Sequence, residues 1–442
     1  MTEEIFAQMG AVIAKASLTR PVGTVMQIAG NTVRISGLAQ HARVGDRIKV
    51  IDAVTEGEVV RTSQDALDVL IDGTTEGLGL DAKVALFPRP DFAPHSGWIG
   101  RVIDPDGQPL DGRPLLPGTV AQAVSAPPPP ANSRRELGVR LSTSFAVFDT
   151  ILPIVRGQRV GLFAGSGVGK STLLSSLAKN VDADVIVIGL VGERGRELRE
   201  FVEKSLGPDG MARSVIVAAT SDRAAQVRRR CPLAATAVAE YFRDQGLQVL
   251  LLIDSVTRFA EAHREVAVAA GESANLRGHP ASTPAAIAGL CERAGPGVGQ
   301  AGDITAIYTV LVAGSDMEEP VADMLRGVLD GHVVLERAIA ERGRFPAVDI
   351  TRSVSRSLPE AANPTENKLI QTARQHMGAY AQAELMIQAG LYSAGSDAKI
   401  DDAIATRDAL EGFISTQGPH GIAGAFLMLQ RALQTPTSGH GN

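Results

Sequence analysis

The sequence has 442 residues, 44% of them hydrophobic and 21% charged, a composition ordinary for a globular protein of two or three domains. Its net charge of −6 provides no global basic field that would hold nucleic acid. The two cysteines, Cys231 and Cys291, lack metal-ligand spacing, which favours reduced core thiols over a disulfide framework or a zinc site.

Residues 1–18 predict an N-terminal amphipathic helix. Five apolar residues fall on one helical face: Ile5, Met9, Val12, Ile13 and Ala16. Such a helix either docks on its own domain or holds a partner, and the pattern does not separate the two. Glu3 and Glu4 stand where a signal peptide would be basic, and no apolar run approaches the roughly 18–20 residues of a membrane span. We therefore expect a soluble, cytoplasmic protein.

Residues 19–92 predict a small closed β-barrel. Short β runs alternate with turns and show no helical period. The runs are Thr24–Ile28, Thr32–Ile35, Arg47–Val50, Glu58–Arg61 and Ala66–Ile71.

Residues 93–358 predict an α/β domain with a parallel sheet. Asp104–Gly107 favours a plain turn over a calcium loop, because no glutamate stands at the twelfth position, and the prolines of 126–131 form an extended connector. Apolar runs separated by helical stretches then indicate strands buried on both faces. These runs are Arg159–Ala164, Asp184–Leu190, Ser214–Thr220, Gln248–Asp254 and Ile304–Val312. Residues 359–442 are alanine-rich and predict a helical domain.

A phosphate-binding loop is predicted between the run Arg159–Ala164 and the helical stretch that follows it. Its backbone amides would surround phosphate oxygens at the helix N-terminus, Lys170 would reach the β- and γ-phosphates, and Ser171 would ligate Mg²⁺. The predicted nucleotide-binding residues are Gly165, Ser166, Gly167, Val168, Gly169, Lys170, Ser171 and Thr172. Ala164 departs from the glycine that usually opens the loop, at the position farthest from the phosphates.

Two carboxylates complete a predicted site for ATP and Mg²⁺. Asp254 ends an apolar strand, where Mg²⁺ reached through water would offset its desolvation; the alternative is a helix N-cap. Glu193 follows the strand Asp184–Leu190 and is the candidate that polarises the attacking water. Glu197 is better explained as a helix-surface charge.

Two residues near position 350 are further candidates. Arg356 could cross a subunit boundary as an arginine finger, although a solvent-facing or ion-paired arginine is the default. Phe345 could stack on the base, although an isolated phenylalanine is more often core. The run Arg228–Arg230 has no interleaved aromatics, so a solvated or inter-subunit helix face is favoured over nucleic-acid binding.

The chain resembles the RecA-like hexameric ATPases related to the catalytic subunit of rotary ATP synthases. The resemblance rests on AGSGVGKST, GERGRE, LLLIDSVTRFA and PAVDITRSVSR. Within this superfamily it is most similar to the flagellum-specific ATPases of the type III protein export apparatus, through segments such as GLYSAGSDAKIDDAI. Arg277–Gly295 departs from the family wording by losing bulky residues, so substrate handling could differ.

The resemblance implies a homohexamer with ATP sites between subunits, in which Lys170, Glu193, Asp254 and Arg356 take the roles above and Phe345 stacks on adenine. It also implies a stator-like regulatory protein bound by residues 1–18, contacts with export gate proteins, export substrates and chaperones, and a peripheral position at the inner face of the cytoplasmic membrane. An export ATPase of a virulence-type injectisome shares every catalytic motif and is the alternative. A hexameric nucleic-acid motor and a non-catalytic scaffold subunit are disfavoured by the acidic charge and by Glu193, respectively.

Overall fold

A computed structural model describes residues 19–51, 53–87, 89, 92–312 and 317–434. The predicted N-terminal helix and the tail from Thr435 lie outside these residues. Within the described ranges, no helix combines the length and the apolarity that crossing a bilayer demands.

The first domain is a closed six-stranded antiparallel barrel, as predicted. Its strands are β1 (Val22–Ala29), β2 (Thr32–Ser36), β3 (Arg47–Val50), β4 (Glu56–Thr62), β5 (Ala66–Ile71) and β6 (Lys83–Phe87). They close in the order β1-β2-β5-β4-β3-β6, and the alternating inward residues form their own apolar core. The sequence did not predict β6, whose pairing with β1 and β3 closes the barrel.

The second domain is built on an eight-stranded sheet in the order β16-β15-β8-β14-β11-β9-β10-β7. Its strands are β7 (Arg101–Ile103), β8 (Arg159–Ala164), β9 (Val185–Glu193), β10 (Ser214–Thr220), β11 (Val249–Asp254), β14 (Ile304–Leu311), β15 (Gly331–Leu335) and β16 (Val348–Ser355). A separate small pair consists of β12 (Ala274–Leu276) and β13 (His279–Pro280). The predicted parallel sheet is confirmed with one exception, because β16 runs antiparallel to β15.

Helices cover both faces of the sheet and form the C-terminal domain. They are α1 (Ala146–Asp149), α2 (Lys170–Asn180), α3 (Gly195–Glu200), a π-helical turn (Phe201–Leu206), α4 (Gly207–Met211), α5 (Ala225–Asp244), α6 (Val256–Ala269), α7 (Thr283–Glu292), α8 (Pro320–Val328), α9 (Arg337–Glu341), α10 (Pro364–Gln388), α11 (Ala398–Ser415) and α12 (Gly421–Leu433). Two 3₁₀ turns lie at Ser96–Trp98 and Ala131–Ser133. Cys231 and Cys291 are buried free thiols, as predicted.

The three arginines at the start of α5 bind within this chain, so the prediction of a solvated or inter-subunit face was wrong. Arg228 pairs with Glu265 at 3.0 Å. Arg229 lies 3.6 Å from the buried Glu58 of the barrel, and the Nε of Arg230 donates to the carbonyl of Pro105 at 3.0 Å. Arg229 therefore ties the barrel to the α/β domain, and the partners of all three arginines are too distant in sequence for a local pattern to show them.

A second contact joins the same two domains beside the arginines. The buried Gln226 donates to the carbonyl of Leu70 at 3.1 Å and to the carboxylate of Asp72 at 2.5 Å. Asp72 also forms an ion pair with the guanidinium of Arg47. Hydrogen bonds therefore hold the barrel on the first turn of α5. Some of them have a charged partner, such as the carboxylate of Asp72, and are stronger than neutral hydrogen bonds.

Candidate active site

The predicted nucleotide-binding loop lies at the carboxyl edge of the parallel strands. It follows β8 directly and enters α2, whose N-cap is Gly169. Gly167 and Gly169 have φ of 78° and 86°, a backbone region that costs side-chain-bearing residues energy but glycine little. The amides before α2 are therefore free to curl around an anion at the helix N-terminus.

Ala164 belongs to the strand and not to the loop. Its side chain is fully buried in the apolar core, and it pairs with Leu311 of β14 and Leu335 of β15. The departure from glycine at this position therefore leaves the phosphate-binding backbone unaffected.

Asp254 closes β11 next to the loop. Its carboxylate Oδ1 contacts the Nζ of Lys170 and accepts a hydrogen bond of 2.6 Å from the hydroxyl of Thr309. Ser255 and not Asp254 is the N-cap of α6, since the Ser255 hydroxyl accepts from the backbone N–H of Arg258. The N-cap alternative for Asp254 is thus excluded, and a buried carboxylate is held at the loop by a cation and a hydroxyl.

Thr309 is a site residue that the sequence analysis missed. It is fully buried in β14, between apolar neighbours on the strand adjacent to β11. A hydroxyl in an otherwise apolar buried strand requires a partner, and this was the available signal. Thr309 lies toward the carboxyl end of β14, beside the end of β11, so Asp254 was the partner within its reach.

Glu193 ends β9, on the other side of β11 from the loop strand. Burial above all, then the charge of Asp254 and a hydrogen bond with Glu197, raise the pKa of Glu193 to about 7. The hydrogen bond with Glu193 in turn lowers the pKa of Glu197. Glu193 therefore loses its proton only as pH rises through about 7, whereas Glu197 loses its proton at lower pH.

Glu197 is exposed on α3, so the predicted helix-surface charge is confirmed, and its carboxyl group also bonds to Glu193. Its side chain lines one pocket together with Ser171, Glu193 and Asp254. On the solvent side it forms an ion pair with Arg194 at 3.1 Å. The residue stands four positions after Glu193, and the first turn of α3 returns it to that carboxyl. The helix spacing was visible in the sequence, but the direction of the turn was not.

The donor set fits a Mg²⁺ ion that arrives with phosphate groups. Ser171 and Asp254 line the same pocket and offer one hydroxyl and one carboxylate. Mg²⁺ in such sites commonly takes one or two protein oxygens, with water and phosphate oxygens as the other ligands. In the part of the chain that the structure describes, no cluster of three or more His, Cys, Asp or Glu side chains forms an all-protein cage.

Phe345 lies against the loop from the far end of the chain. A Cβ built on Gly169 would be 3.3 Å from two ring carbons of Phe345, so the ring packs directly on this glycine. The phenylalanine is 47% exposed and is therefore not a core residue. An aromatic face thus stands beside the predicted phosphate site, where it can contact a base.

Arg356 lies at the opposite edge of the sheet from the loop of its own chain. Val348 begins β16 opposite Leu335, which pairs with Ala164, whereas Ser355 ends β16 opposite Gly331. Because β16 is irregular between these two pairs, the regular strand β15 sets the separation, and its four residue steps from Leu335 to Gly331 span about 13 Å. The structure therefore brings Lys170, Ser171, Glu193, Asp254 and Phe345 together and does not bring Arg356 to them.

A glycine-rich loop between a parallel strand and a helix, with a lysine, a strand-end aspartate and a pocket glutamate, defines a P-loop nucleoside triphosphatase with a RecA-like core. Residues 144–355 match the ATP synthase alpha/beta family, nucleotide-binding domain, and residues 362–423 match the T3SS EscN ATPase C-terminal domain.

Known proteins narrow the class further. The flagellum-specific ATP synthase of Caulobacter vibrioides is 43% identical over 92% of this chain and 95% of its own length. The type 3 secretion system ATPase of Xanthomonas euvesicatoria is 39% identical over 91% of each chain. The assembled ATPase EscN of enteropathogenic E. coli, in complex with its central stalk EscO, superposes with a TM-score of 0.83 at 34% identity, covering 93% of this chain and all of that one. The chain belongs to the family of flagellum-specific ATP synthases and type III secretion ATPases, and it is an ATPase.

Proposed function

We propose that this protein hydrolyses ATP to energise protein export through a flagellar type III secretion apparatus. The observation that carries the proposal is the meeting of Lys170, Asp254 and Glu193 at one strand edge beside the glycine loop. Relatives named for flagella support the flagellar assignment.

In the proposed reaction, backbone amides of residues 165–172 cradle the phosphates and Lys170 neutralises charge on the β- and γ-phosphates. Ser171 and Asp254 would hold Mg²⁺, which would supply neutralisation of phosphate charge. Phe345 packs on the adenine. Glu193 orients the attacking water and accepts its proton, for which a pKa of about 7 is well matched to neutral pH.

Arg356 acts in a neighbouring subunit in this proposal. The sheet separates it from its own loop by the length of β15, four residue steps or about 13 Å, so it reaches a nucleotide only across a subunit boundary. A head-to-tail ring completes every site in this way, and a hexamer is the ring size that the family resemblance implies.

The partners follow from the same family membership. Residues 1–18 bind a stator-like regulatory protein, and the ring meets export gate proteins, export substrates and chaperones. The protein works in the cytoplasm, peripherally at the inner face of the membrane. It does not bind nucleic acid, in line with its net charge of −6.

Two measurements test the proposal. ATPase activity per subunit should rise with protein concentration as rings assemble, with mass followed by light scattering, and should vanish in Lys170→Ala. Full turnover in Lys170→Ala, or in a strictly monomeric sample, contradicts the proposed site.

Deletion of the gene tests the process that the ATPase serves. Loss of filaments and swimming, restored by the wild-type gene and not by Lys170→Ala, supports flagellar export. Loss of effector secretion with motility intact supports the second candidate, an injectisome ATPase, which the 39% identity to the Xanthomonas euvesicatoria protein favours.

A further inference from the structure

The direction of Arg356 is set by the short segment 326–330. The backbone N–H of Arg356 donates to the carbonyl of Asp330 at 3.0 Å, and its guanidinium Nη2 donates to the carbonyl of Arg326 at 3.0 Å. Arg326 lies in the last turn of α8, where carbonyls lack helical partners and carry the negative end of the helix dipole. The α8 terminus therefore holds the guanidinium that the sheet leaves exposed at its edge.

Asp330 fixes this segment to β8. Its Oδ2 accepts from the backbone N–H and the Nε of Arg159, both at 3.0 Å, and its Oδ1 accepts from the Nη2 of Arg159 at 2.9 Å. In return, the backbone N–H of Asp330 donates to the carbonyl of Arg159 at 2.8 Å. Side-chain exposures of 14% for Arg159 and 24% for Asp330 leave this two-pronged ion pair only partly screened by water.

Gln158 joins Asp330 to the residue that precedes Arg356. It is fully buried, and its Nε2 donates to the carbonyl of Asp330 and to the hydroxyl of Ser355, both at 3.1 Å. Gly331 permits this close approach, because a Cβ there would lie 2.7 Å from the carbonyl oxygen of Val354. The end of β16 is thus held against the segment 326–330 from two sides.

We infer that Asp330, gripped by Arg159, is a positioning residue for the arginine finger Arg356. The inference rests on the proposed role of Arg356 in the neighbouring subunit's site. Because Arg159 and Ala164 are the two ends of β8, one strand carries this clamp at one end and leads into the phosphate loop at the other. A displacement of a catalytic group by about 1 Å can cost roughly a hundredfold in rate, so loss of the clamp should reach the chemistry without touching the nucleotide.

The test uses Asp330→Asn in the full-length, assembled protein. We expect kcat to fall about ten- to a hundredfold while KM and the affinity for ADP stay at their wild-type values, because the chain's own loop is at the other edge of the sheet. Asp323→Asn is the matched control, since Asp323 is an exposed residue of α8 and should leave turnover unchanged.

Mixed rings distinguish positioning from a general folding defect. In a ring that mixes Asp330→Asn and Glu193→Gln subunits, some nucleotide sites are complete. These are the sites in which an Asp330→Asn subunit provides Glu193 and its Glu193→Gln neighbour provides Arg356. Random 1:1 mixing should restore about a quarter of wild-type activity, as it should for Arg356→Ala with Glu193→Gln. Asp330→Asn mixed with Arg356→Ala should show no activity above the residual turnover of the two variants measured alone.

Each outcome has a separate meaning. Wild-type kcat in Asp330→Asn, or a loss that Glu193→Gln subunits do not rescue, overturns the positioning role. Wild-type kcat in Arg356→Ala refutes the finger itself and so refutes the proposed function at that residue. If Asp330→Asn does not assemble, Gly331→Ala and Arg159→Lys disturb the same clamp and are measured in the same mixtures.

Discussion

Replacing Glu193 with glutamine tests the chemistry of this carboxyl separately from its shape. Glutamine preserves the volume and much of the hydrogen bonding but accepts no proton. We therefore expect Glu193→Gln to bind ATP and to lose turnover by about 10²–10⁴-fold, the usual contribution of a positioned general base. Turnover retained at the wild-type level would move the water-positioning role to another residue.

The same variant should stabilise the protein when nucleotide and Mg²⁺ are absent. The pKa of Glu193 rises from its ordinary 4.5 to about 7, which corresponds to about 3 kcal/mol at most if the whole shift is realised. Because the side chain is only half-buried, solvent screening reduces this to about 1–2 kcal/mol. The folded state incurs the cost of ionising Glu193, whereas the unfolded state does not.

The sign of the effect depends on pH. The raised pKa gives the folded state a stability that is present below the unfolded pKa of 4.5 and is lost as pH rises through about 7. At pH 8 the carboxyl is ionised in both states, so Glu193→Gln should raise the free energy of unfolding. At pH 5 Glu193 is still protonated in the folded state, and most of the difference disappears.

Urea unfolding at pH 8 and at pH 5 measures the effect directly. Glu203→Gln is the control, because Glu203 lies in the π-helical turn ten residues after Glu193, with 53% exposure and an ion pair to Arg199. It should change stability little at either pH. An equal gain for Glu193→Gln at both pH values, or a loss at pH 8, would refute the argument that burial and Asp254 raise this pKa.

Three further predictions concern other parts of the molecule. Arg293→Met should cost about 3 kcal/mol in urea unfolding, because it leaves the buried carboxylate of Glu240 with only the distant guanidinium of Arg243 at 4.0 Å. Adding Glu240→Leu should recover most of the loss, and equal losses in both variants would contradict this. Phe345→Ala should weaken ATP binding by about 1 kcal/mol, or roughly fivefold in Kd by fluorescence titration, and an unchanged Kd would remove the ring from the base site. Asp72→Ala should loosen the barrel from α5 and speed limited proteolysis between the two domains while the nucleotide affinity is maintained. An unchanged cleavage pattern would show that the contacts of Arg229 with Glu58 and of Gln226 with Leu70 hold the barrel without Asp72.

The parts of the fold that the sequence predicted are those with local patterns. The barrel strands alternate with turns, and β8, β9, β10, β11 and β14 are apolar runs, so each segment shows its state without knowledge of its neighbours. β15 and β16 were not predicted as strands. The serines of β16 interrupt its alternation, and Ser355 donates to the carbonyl of Pro153, which lies about two hundred residues upstream.

The candidate site shows the same division between local and distant information. The glycine loop with Lys170 is a contiguous motif, and it was recognisable with the strand and helix that flank it. Thr309 comes from another strand, and only the assembled sheet brings it to Asp254. Arg228–Arg230 failed for the same reason, because their partners lie more than a hundred residues upstream or on a neighbouring helix.

The separation of Arg356 from its own phosphate loop gives each subunit a polarity, with a donor edge and an acceptor edge. In an open row of such subunits, the nucleotide site of one terminal subunit receives no Arg356 from a neighbour. At the other end, the Arg356 of the terminal subunit has no neighbouring nucleotide site to enter. In a dimer, one of the two nucleotide sites would be complete. The fraction of incomplete sites would fall as the row becomes longer. Only a closed ring has no terminal subunits, so only a ring gives every subunit a complete ATPase site.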